Sequence, residues 1–511
     1  MPINGSPAPP NAWIDIFQLA ALDNEASEAL SLIRSMRNKF VPVNRLPCDV
    51  LALIPDFWHG RARENIAITL THVCQDWREI FGSRASLWTN FHLVNAEKTR
   101  CYLERSKSAP ISVSLERPQG LLHNDPFLEV VPGATSRLKR LYMRTTSGHL
   151  QAITQHLVDP APLLETLKIH GSCVDPHISS VPAPHLFNGN LSSLRELSLR
   201  SVRTQLPWRG MNNLTSFTLC CTAQTGVSIE QTLDFLGGAP RLRKVWLSFA
   251  ASTPGPHNRR PASLAHLESL TISGSQRPSL LLNHLMIPVG AVVWTELDSL
   301  AFDINDHLPR SLDNLGNLSH FTEIRLLFAE FVTSVRFTGP NGQVHISSSY
   351  PTPGDVQAVF RSLTRLDTSR TEFFEIIYGG FPAEFFEALR SLTNLRTLII
   401  SRCCDTLPFL LGLRSAFCPN NSIICPRLEE LVFYTDDSFD EKIMVDLAAI
   451  RASGGAPLEL VKVVSSVEPM LSAEGVTELL KHVSDVETGV EDDDGVNYFG
   501  EIPVLAQEVP F

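Results

Sequence analysis

The chain has no apolar run near the roughly 20 residues that cross a bilayer. Its opening stretch, MPINGSPAPP, has neither the basic start nor the apolar core of a secretory signal. Both absences point to the cytoplasm and/or nucleus, where thiols stay reduced. The 10 cysteines fit that setting: they stand singly or as adjacent pairs, with no C-x-x-C. Cys403, Cys404, Cys418 and Cys425 are the nearest approach to a metal set, but neighbouring cysteines cannot easily share one tetrahedral site. The 16 histidines include no H-E-x-x-H. Also missing are G-x-S-x-G, the Walker-type G-x-x-x-x-G-K-[ST] and the dinucleotide G-x-G-x-x-G. The expectation is a protein that is not an enzyme and takes no metal or cofactor.

A concentrated basic stripe is lacking too. Net charge is −11, and the stretch from Asn421 to Phe511 holds 19 acidic against 5 basic residues. Nucleic acid is therefore disfavoured as the main ligand; no membrane partner is expected either, since no apolar run is long enough to cross one. The run Glu491-Asp492-Asp493-Asp494 reads as a solvated tail. With 511 residues, 43% hydrophobic and 19% charged, the composition is that of an ordinary globular chain too long for one compact core.

The densest patterning lies between Asn44 and Phe91. Leu46-Pro47 opens a helix, Asp49 complements the positive end of its dipole, and Val50, Leu51, Leu53 and Ile54 supply apolar side chains. Ile68, Leu70, Val73, Cys74 and Trp77 predict a second helix, and Leu87-Trp88 closes the unit. Short helices like these cannot each bury a face alone, so they pack on one another or on a partner. Upstream, Trp13–Phe17 and Ala26–Phe40 read as helix, with Leu30, Ile33, Met36 and Phe40 in one stripe expected to pack against the segment that follows.

Leu-Pro, Val-Cys-x-x-Trp-Arg and Leu-Trp in this order resemble an F-box, the helical module that docks a substrate receptor onto a cullin-type ubiquitin ligase. The resemblance implies that Leu46, Pro47, Val50, Leu51, Ile54, Val73, Trp77 and Trp88 build the surface or core facing a Skp-type adapter. Pro55 stands where the family usually carries a large apolar residue and is expected to end or kink the first helix at Ile54, while Asp49 replaces the usual glutamate.

Beyond the box, Ala96–Ser106 reads as helix and Ile111–Leu115 as strand, and then the pattern L-x-x-L-x-L recurs. Copies fall at Leu138/Leu141/Met143, Leu164/Leu167/Ile169, Leu194/Leu197/Leu199, Leu214/Phe217/Leu219, Leu242/Val245/Leu247 and Leu267/Leu270/Ile272. They continue at Leu297/Leu300/Phe302, Phe321/Ile324/Leu326, Leu363/Leu366, Leu395/Leu398/Ile400, Leu428/Leu431/Phe433 and Leu458/Val461/Val463. Most spacings lie at about 20 to 33 residues, the period of leucine-rich repeats. Helices are expected in several intervals, at Ile229–Leu236, Val356–Leu363 and Phe385–Leu392. Only Asn305 and Cys403 sit where such a repeat places its Asn or Cys. Val335-Arg336-Phe337 and Val344-His345-Ile346 around a Gly-Pro-Asn-Gly turn predict an inserted hairpin near 331–348.

In such strands the leucines point inward and the alternating residues point out. These are Tyr142 and Arg144, Lys168 and His170, Ser198 and Arg200, Thr218 and Cys220, Trp246 and Ser248, and Thr271 and Ser273, then Asp303, Arg325, Asp367, Ser401 and Tyr434. Tyr142, Arg144, Lys168, His170, Arg200 and Trp246 form the candidate target-binding set, suited to a protein with some acidic character.

The expected fold class is α/β: an N-terminal helical F-box followed by an irregular leucine-rich-repeat solenoid. The expected divisions are an arm and helix over 1–43, the box over 44–93, a connecting helix and strand over 94–130, the solenoid over 131–486 and an acidic tail over 487–511. The resemblance, which extends to the large fungal group of such receptors, implies a non-catalytic adapter that brings an unknown target protein to a cullin ligase complex. Two other readings stay open: a repeat scaffold or GTPase regulator acting without a ligase, and a box that has decayed to leave only a binding scaffold.

Overall fold

The computed structural model describes residues 12–490 except 58–62, 94–95, 118–131, 172–179, 182, 205–210, 222–226, 250–260, 275–276, 299–301, 310–311, 319–320, 330–331, 341, 350–351, 353, 378–379, 403–405, 417–422 and 437–438. The acidic run at 491–494, Cys403, Cys404, Cys418 and Leu300 lie outside the described residues. The described residues form two compact units, one reaching to Leu115 and taking in the stretch before Lys139, the other built from Lys139 onward.

The first unit begins with α1 (Ala12–Asn38), followed by α2 (Cys48–Leu53), α3 (Arg63–Thr71) and α4 (Gln75–Ser83). It continues with β1 (Asn90–His92), α5 (Ala96–Arg105) and β2 (Ile111–Arg117), β1 pairing parallel with β2. The two upstream helical stretches are thus one continuous helix. The expectation that its stripe packs against the box fails: Leu30, Ile33, Met36 and Phe40 are all exposed. Helix α2 stops at Leu53, as Pro55 requires. Proline has no N–H for the Leu51 carbonyl, which the Ile54 N–H takes instead as the backbone tightens into a 3-10 turn over Ile54–Phe57.

The single helix expected across Ile68–Trp77 is two helices, broken at Cys74, whose backbone is extended. The β-branched residues Thr69, Thr71 and Val73 weaken continuation, and Arg78 Nε donates to the Thr71 carbonyl at 3.0 Å, closing the end of α3. The core of this unit gathers Leu51, Ile66, Leu70, Trp77 and Phe81, with Ile54, Cys74, Ile80 and Leu87 packed against it.

The second unit is mixed α/β and is dominated by one large, mostly parallel, open sheet. Its strands are β3 (Leu138–Thr145), β4 (Thr166–Gly171), β5 (Glu196–Arg200), β6 (Ser216–Cys221), β7 (Lys244–Phe249) and β8 (Ser269–Gly274). They continue with β9 (Val292–Leu297), β10 (Glu323–Ala329), β11 (Val332–Thr338), β12 (Gln343–Ser349) and β13 (Phe373–Ile377). The last four are β14 (Thr397–Ser401), β15 (Glu430–Tyr434), β16 (Leu460–Ser465) and β17 (Asp485–Val490). Residues 487–490, assigned from sequence to the tail, therefore belong to a strand.

Register follows the leucine motif. Leu141, Leu167, Leu197, Phe217, Val245 and Leu270 are direct partners in successive strands, as are Met143, Ile169, Leu199, Leu219, Leu247 and Ile272. All of them are buried, Val245 the most exposed at 3%. A one-residue slip would turn every one of these side chains to the other face, so apolar burial holds the ladder in step. The chain must approach itself closely where β7 and β8 end: Gly274 has φ +112°, and a Cβ there would meet the Phe249 carbonyl. Only glycine fits that geometry.

Two motif copies are displaced. The strand expected at Leu297/Leu300/Phe302 is β9, with Val293, Thr295 and Leu297 buried, and the one expected at Leu363/Leu366 is β13, carrying Phe374 and Ile376. Leu363 instead ends a helix, Asp355–Leu363. The hairpin is present but is not an excursion. β12 pairs parallel with β9, β11 pairs antiparallel with β12 and β10, and β10 pairs parallel with β13. The insertion thus lies within the sheet, and β9 and β10 are not neighbours.

Helices from the intervals cover the leucine face. Helix α6 (Ser147–His156) and α7 (Ile229–Gly237) come first, and Phe235 of α7 meets Phe217 with ring centroids 4.3 Å apart. Later, Ala383–Ser391 and Thr406–Ala416 bring Phe385 and Phe409 into a chain of rings running from Phe360 to Phe433.

Candidate functional site

In the first unit the F-box-like positions separate by environment. Leu51 (3% exposed), Trp77 (8%) and Trp88 (1%) are core. Trp77 Nε1 donates to Asn44 Oδ1 at 2.7 Å, while Asn44 Nδ2 donates to the Asn38 carbonyl at 2.8 Å, tying α4 to the end of α1. Trp88 Nε1 donates to the Phe81 carbonyl at 2.9 Å, its ring lies edge-on to Tyr102, and the Arg105 guanidinium sits 4.4 Å from its centroid. These groups satisfy the polar ends that buried tryptophans must place.

Ile54 is half-buried, whereas Leu46, Pro47, Val50 and Val73 are exposed. Leu53 and Phe57, which were not singled out as site residues from sequence, extend the exposed set. Leu46, Val50, Leu53 and Phe57 follow at steps of four, three and four, exposed by 41%, 44%, 50% and 78%. That spacing puts them along one side of α2 and the turn after it; the signal was the helical period itself.

In the second unit the residues alternating with the leucines form rows across the sheet. One row runs Tyr142, Lys168, Ser198, Thr218, Trp246, Thr271, Trp294, His345, Arg336, Arg325, Glu375. A second runs Arg144, His170, Arg200, Cys220, Ser248, Ser273. All six candidate target residues therefore lie on one face, but not all are available there. Tyr142 and His170 are buried, with their rings edge-to-face at 5.2 Å and His170 Nε2 3.2 Å from Ser198 Oγ. Burial, and then the charges of Arg200, Lys168 and Arg144, lower the His170 pKa to about 3, so the imidazole is neutral. These two residues support the surface from beneath.

Lys168, Arg200 and Trp246 are half-buried and Arg144 is exposed. Lys168 Nζ pairs with Glu196 Oε1 at 2.9 Å. The small side chains Thr218 and Cys220 on β6 let Arg200 reach across to Trp246, where its guanidinium carbon lies 4.7 Å from the ring centroid.

Further along the row, sequence reasoning missed Trp294 and Glu375 because both strands lay outside the positions assigned to the motif. The alternation Val293-x-Thr295-x-Leu297 was the available signal. Trp294 packs on His345 with centroids 3.6 Å apart. Arg325 joins Glu375 at 3.3 Å and Glu323 at 3.7 Å, and lies over the Phe373 ring. Burial raises the pKa of the Glu375 carboxyl, a shift the two arginines oppose. Asp303 and Asp367, expected on this face, cap turns instead, accepting from the Asn305 and Ser369 backbone N–H groups.

Among the described residues no group of His, Cys, Asp and Glu could hold a metal ion, and no helix is long and apolar enough to cross a membrane. Cys425 is buried, its Sγ bonds the Leu389 carbonyl, and burial pushes its thiol pKa up to about 12.

No family model matches the sequence, and no curated protein does. Among solved structures, a chain from the crystal structure of a Rad7 and Elc1 complex in yeast aligns over 92% of this chain and 97% of its own. Identity is 11% and the TM-score 0.26, a likeness too slight to bear on function.

Proposed function

We propose that the chain is a non-catalytic substrate receptor of a cullin-type ubiquitin ligase, with an F-box in its first unit and an irregular leucine-rich-repeat solenoid in its second. The observation that carries the reading is the division of the F-box-like positions. Leu51, Trp77 and Trp88 close a core, while Leu46, Pro47, Val50 and Val73 stay outside with Leu53 and Phe57. A bundle complete in itself would turn these side chains inward. Exposed apolar surface costs about 25 cal/mol per Å², and docking on a Skp-type adapter would recover it. The open sheet face, with Arg144, Lys168, Arg200 and Trp246, would then hold a target protein bearing acidic side chains. Catalysis belongs to the ligase, and tethering supplies the effective concentration.

The purified chain is expected to bind a Skp-type adapter with a dissociation constant at or below about 1 µM in calorimetry. Val50→Glu with Leu53→Glu should weaken that binding at least about tenfold, since each buries a charge in an apolar contact. Arg200→Ala with Trp246→Ala should leave adapter binding intact and lower target capture. A wild-type chain that shows no adapter binding at about 10 µM would overturn the proposal. The other reading, a repeat scaffold or GTPase regulator without a ligase, would then stand. The shortness of the 6-residue α2, which Pro55 cuts, favours a third reading, a box that has decayed to leave only a binding scaffold.

A further inference from the structure

Among the described residues, the half-buried carboxylate of Glu296 stands without a hydrogen-bond donor or a cation. On β9 it follows two residues after Trp294, so the two side chains share one face of the sheet. Asp298, two residues further on, has no side-chain partner among the described residues either. Burial, and then the Asp298 charge, raise the Glu296 pKa, and no cation opposes the shift. A desolvated carboxylate in this state carries a free-energy cost that an incoming cation would lower.

The same pattern occurs elsewhere on this face with its cation in place. On β13, Phe373 and Glu375 repeat the aromatic-x-Glu spacing. Arg325, directly opposite Glu375 on β10, meets that carboxylate at 3.3 Å and lays its guanidinium carbon 4.9 Å from the Phe373 centroid. Among the described residues no such side chain stands beside Trp294 and Glu296. Glu296 faces Ser347 on β12, and β8 offers only Ser269, Thr271 and Ser273 to this face, with Thr271 directly opposite Trp294. His345, which packs on Trp294 from β12, is neutral, its pKa lowered to about 3 mainly by burial.

The short side chains of β8 leave room between two indoles. Trp246, Thr271 and Trp294 are in register across β7, β8 and β9. Neighbouring strands lie about 4.8 Å apart, so the two tryptophan Cα atoms are separated by about 10 Å. Arg200 comes to Trp246 from β5 and His345 comes to Trp294 from β12, so each ring is already covered from the side away from β8. A gap of that width accepts one flat group. A guanidinium is flat, stacks on an indole and donates to both oxygens of a carboxylate, whereas an ammonium is a point charge that cannot do all three.

We propose that the slot over β8 takes an arginine side chain of the target protein, its guanidinium against Trp294 and its N–H groups on Glu296. The inference rests on the reading of this sheet face as the target surface. It adds a cation to the acidic side chains already assigned to the target. Arg200 on β5 and Glu296 on β9 are four strands apart, about 19 Å, so a target with an acid and an arginine at that separation lies across the face in one direction only.

Proton–nitrogen NMR of the full chain, labelled at its tryptophan indoles, tests the site directly. The probe is acetyl-Gly-Arg-Gly-amide, compared with its citrulline and lysine counterparts. The indole signal that Trp294→Phe removes is expected to move with the arginine probe, at a dissociation constant of about 1–10 mM. The citrulline probe, flat but uncharged, should leave it in place, and the lysine probe should bind at least about threefold more weakly. Glu296→Gln should weaken the arginine probe at least about fivefold. Its carboxylate has no partner to lose, so folding is not at risk. A Trp294 signal unmoved at about 50 mM probe, citrulline or lysine probes that bind as well as arginine, or undiminished binding to Glu296→Gln would each overturn the inference. Adapter binding, measured on the same preparations, separates the two proposals. A failed probe with the adapter bound overturns the slot alone, whereas a bound probe with no adapter overturns the receptor reading and leaves the arginine site standing.

Discussion

At the scale of single residues, the second unit is shaped by side chains that are polar yet hidden, on both sides of its sheet. His170, His307 and His345 each have a pKa lowered to about 3, mainly by burial. His307 Nδ1 lies 3.0 Å from Thr295 Oγ1, and His345 Nε2 meets Ser334 Oγ. In the unfolded chain each imidazole takes a proton near its ordinary value of 6.5, while in the folded chain it resists protonation down to about 3. The folded-state value is the lower one, so the stability is whole above pH 6.5 and drains as pH falls below it. The loss is about 1.4 kcal/mol per pH unit for each histidine. Urea unfolding should therefore show declining stability from pH 6.5 to pH 4, with a shallower slope in His307→Gln. A flat profile between pH 7 and pH 5 would show that these imidazoles are not held neutral by folding. Sequence alone marked His170 as an outward residue. Its burial against Tyr142 and Ser198 depends on three adjacent strands and could not be seen in one of them.

At the scale of elements, local chemistry explains most of what formed. Helix α7 starts where it does because Ser228 Oγ accepts from the Gln231 N–H at 3.1 Å, while the Gln231 side chain accepts from the Ser228 N–H at 3.2 Å. This capping box uses groups that would otherwise be unpaired at the helix end. Ser228→Ala is expected to destabilise the second unit by about 1 kcal/mol in thermal or urea unfolding, with α7 still formed. Pro55 ended α2 by the same kind of local rule, so that boundary was legible. The break at Cys74 was not, because the apolar spacing runs on through it and only the Arg78 side chain shows how the end of α3 is closed. Motif copies were misplaced where a helix leucine such as Leu363 mimicked the pattern while the true strand, Phe373–Ile377, carried phenylalanine and isoleucine.

At the scale of the molecule, the second unit gains stability strand by strand, because each strand pairs only with its neighbours in the sheet. Leu247 on β7 and Leu431 on β15 share no neighbouring strand. Each is buried, so Leu247→Ala and Leu431→Ala should each cost about 2–5 kcal/mol. Together their effects on urea unfolding should add to within about 0.5 kcal/mol. A coupling several times larger would mean that the strands do not behave as nearest-neighbour units. The leucine period foretold a row of parallel strands. It did not foretell that the hairpin would enter the sheet: the 42-residue interval from Phe321 to Leu363 marked an insertion, but not whether its strands would join the ladder.

The sequence by itself determined which positions seek an apolar interior, because burial depends on side-chain type and on a period of two or 3.6 that any reader can count. It thereby marked the helices of the first unit, most strands of the second and the outward rows between the leucines. Only the tertiary structure decided which of those outward or apolar residues remain on the surface. Tyr142 and His170 are covered, while Arg144, Leu53, Phe57 and, on α1, Leu30 and Ile33 are not. Exposure is set by what neighbouring segments bring against a side chain, and that information lies far away along the chain.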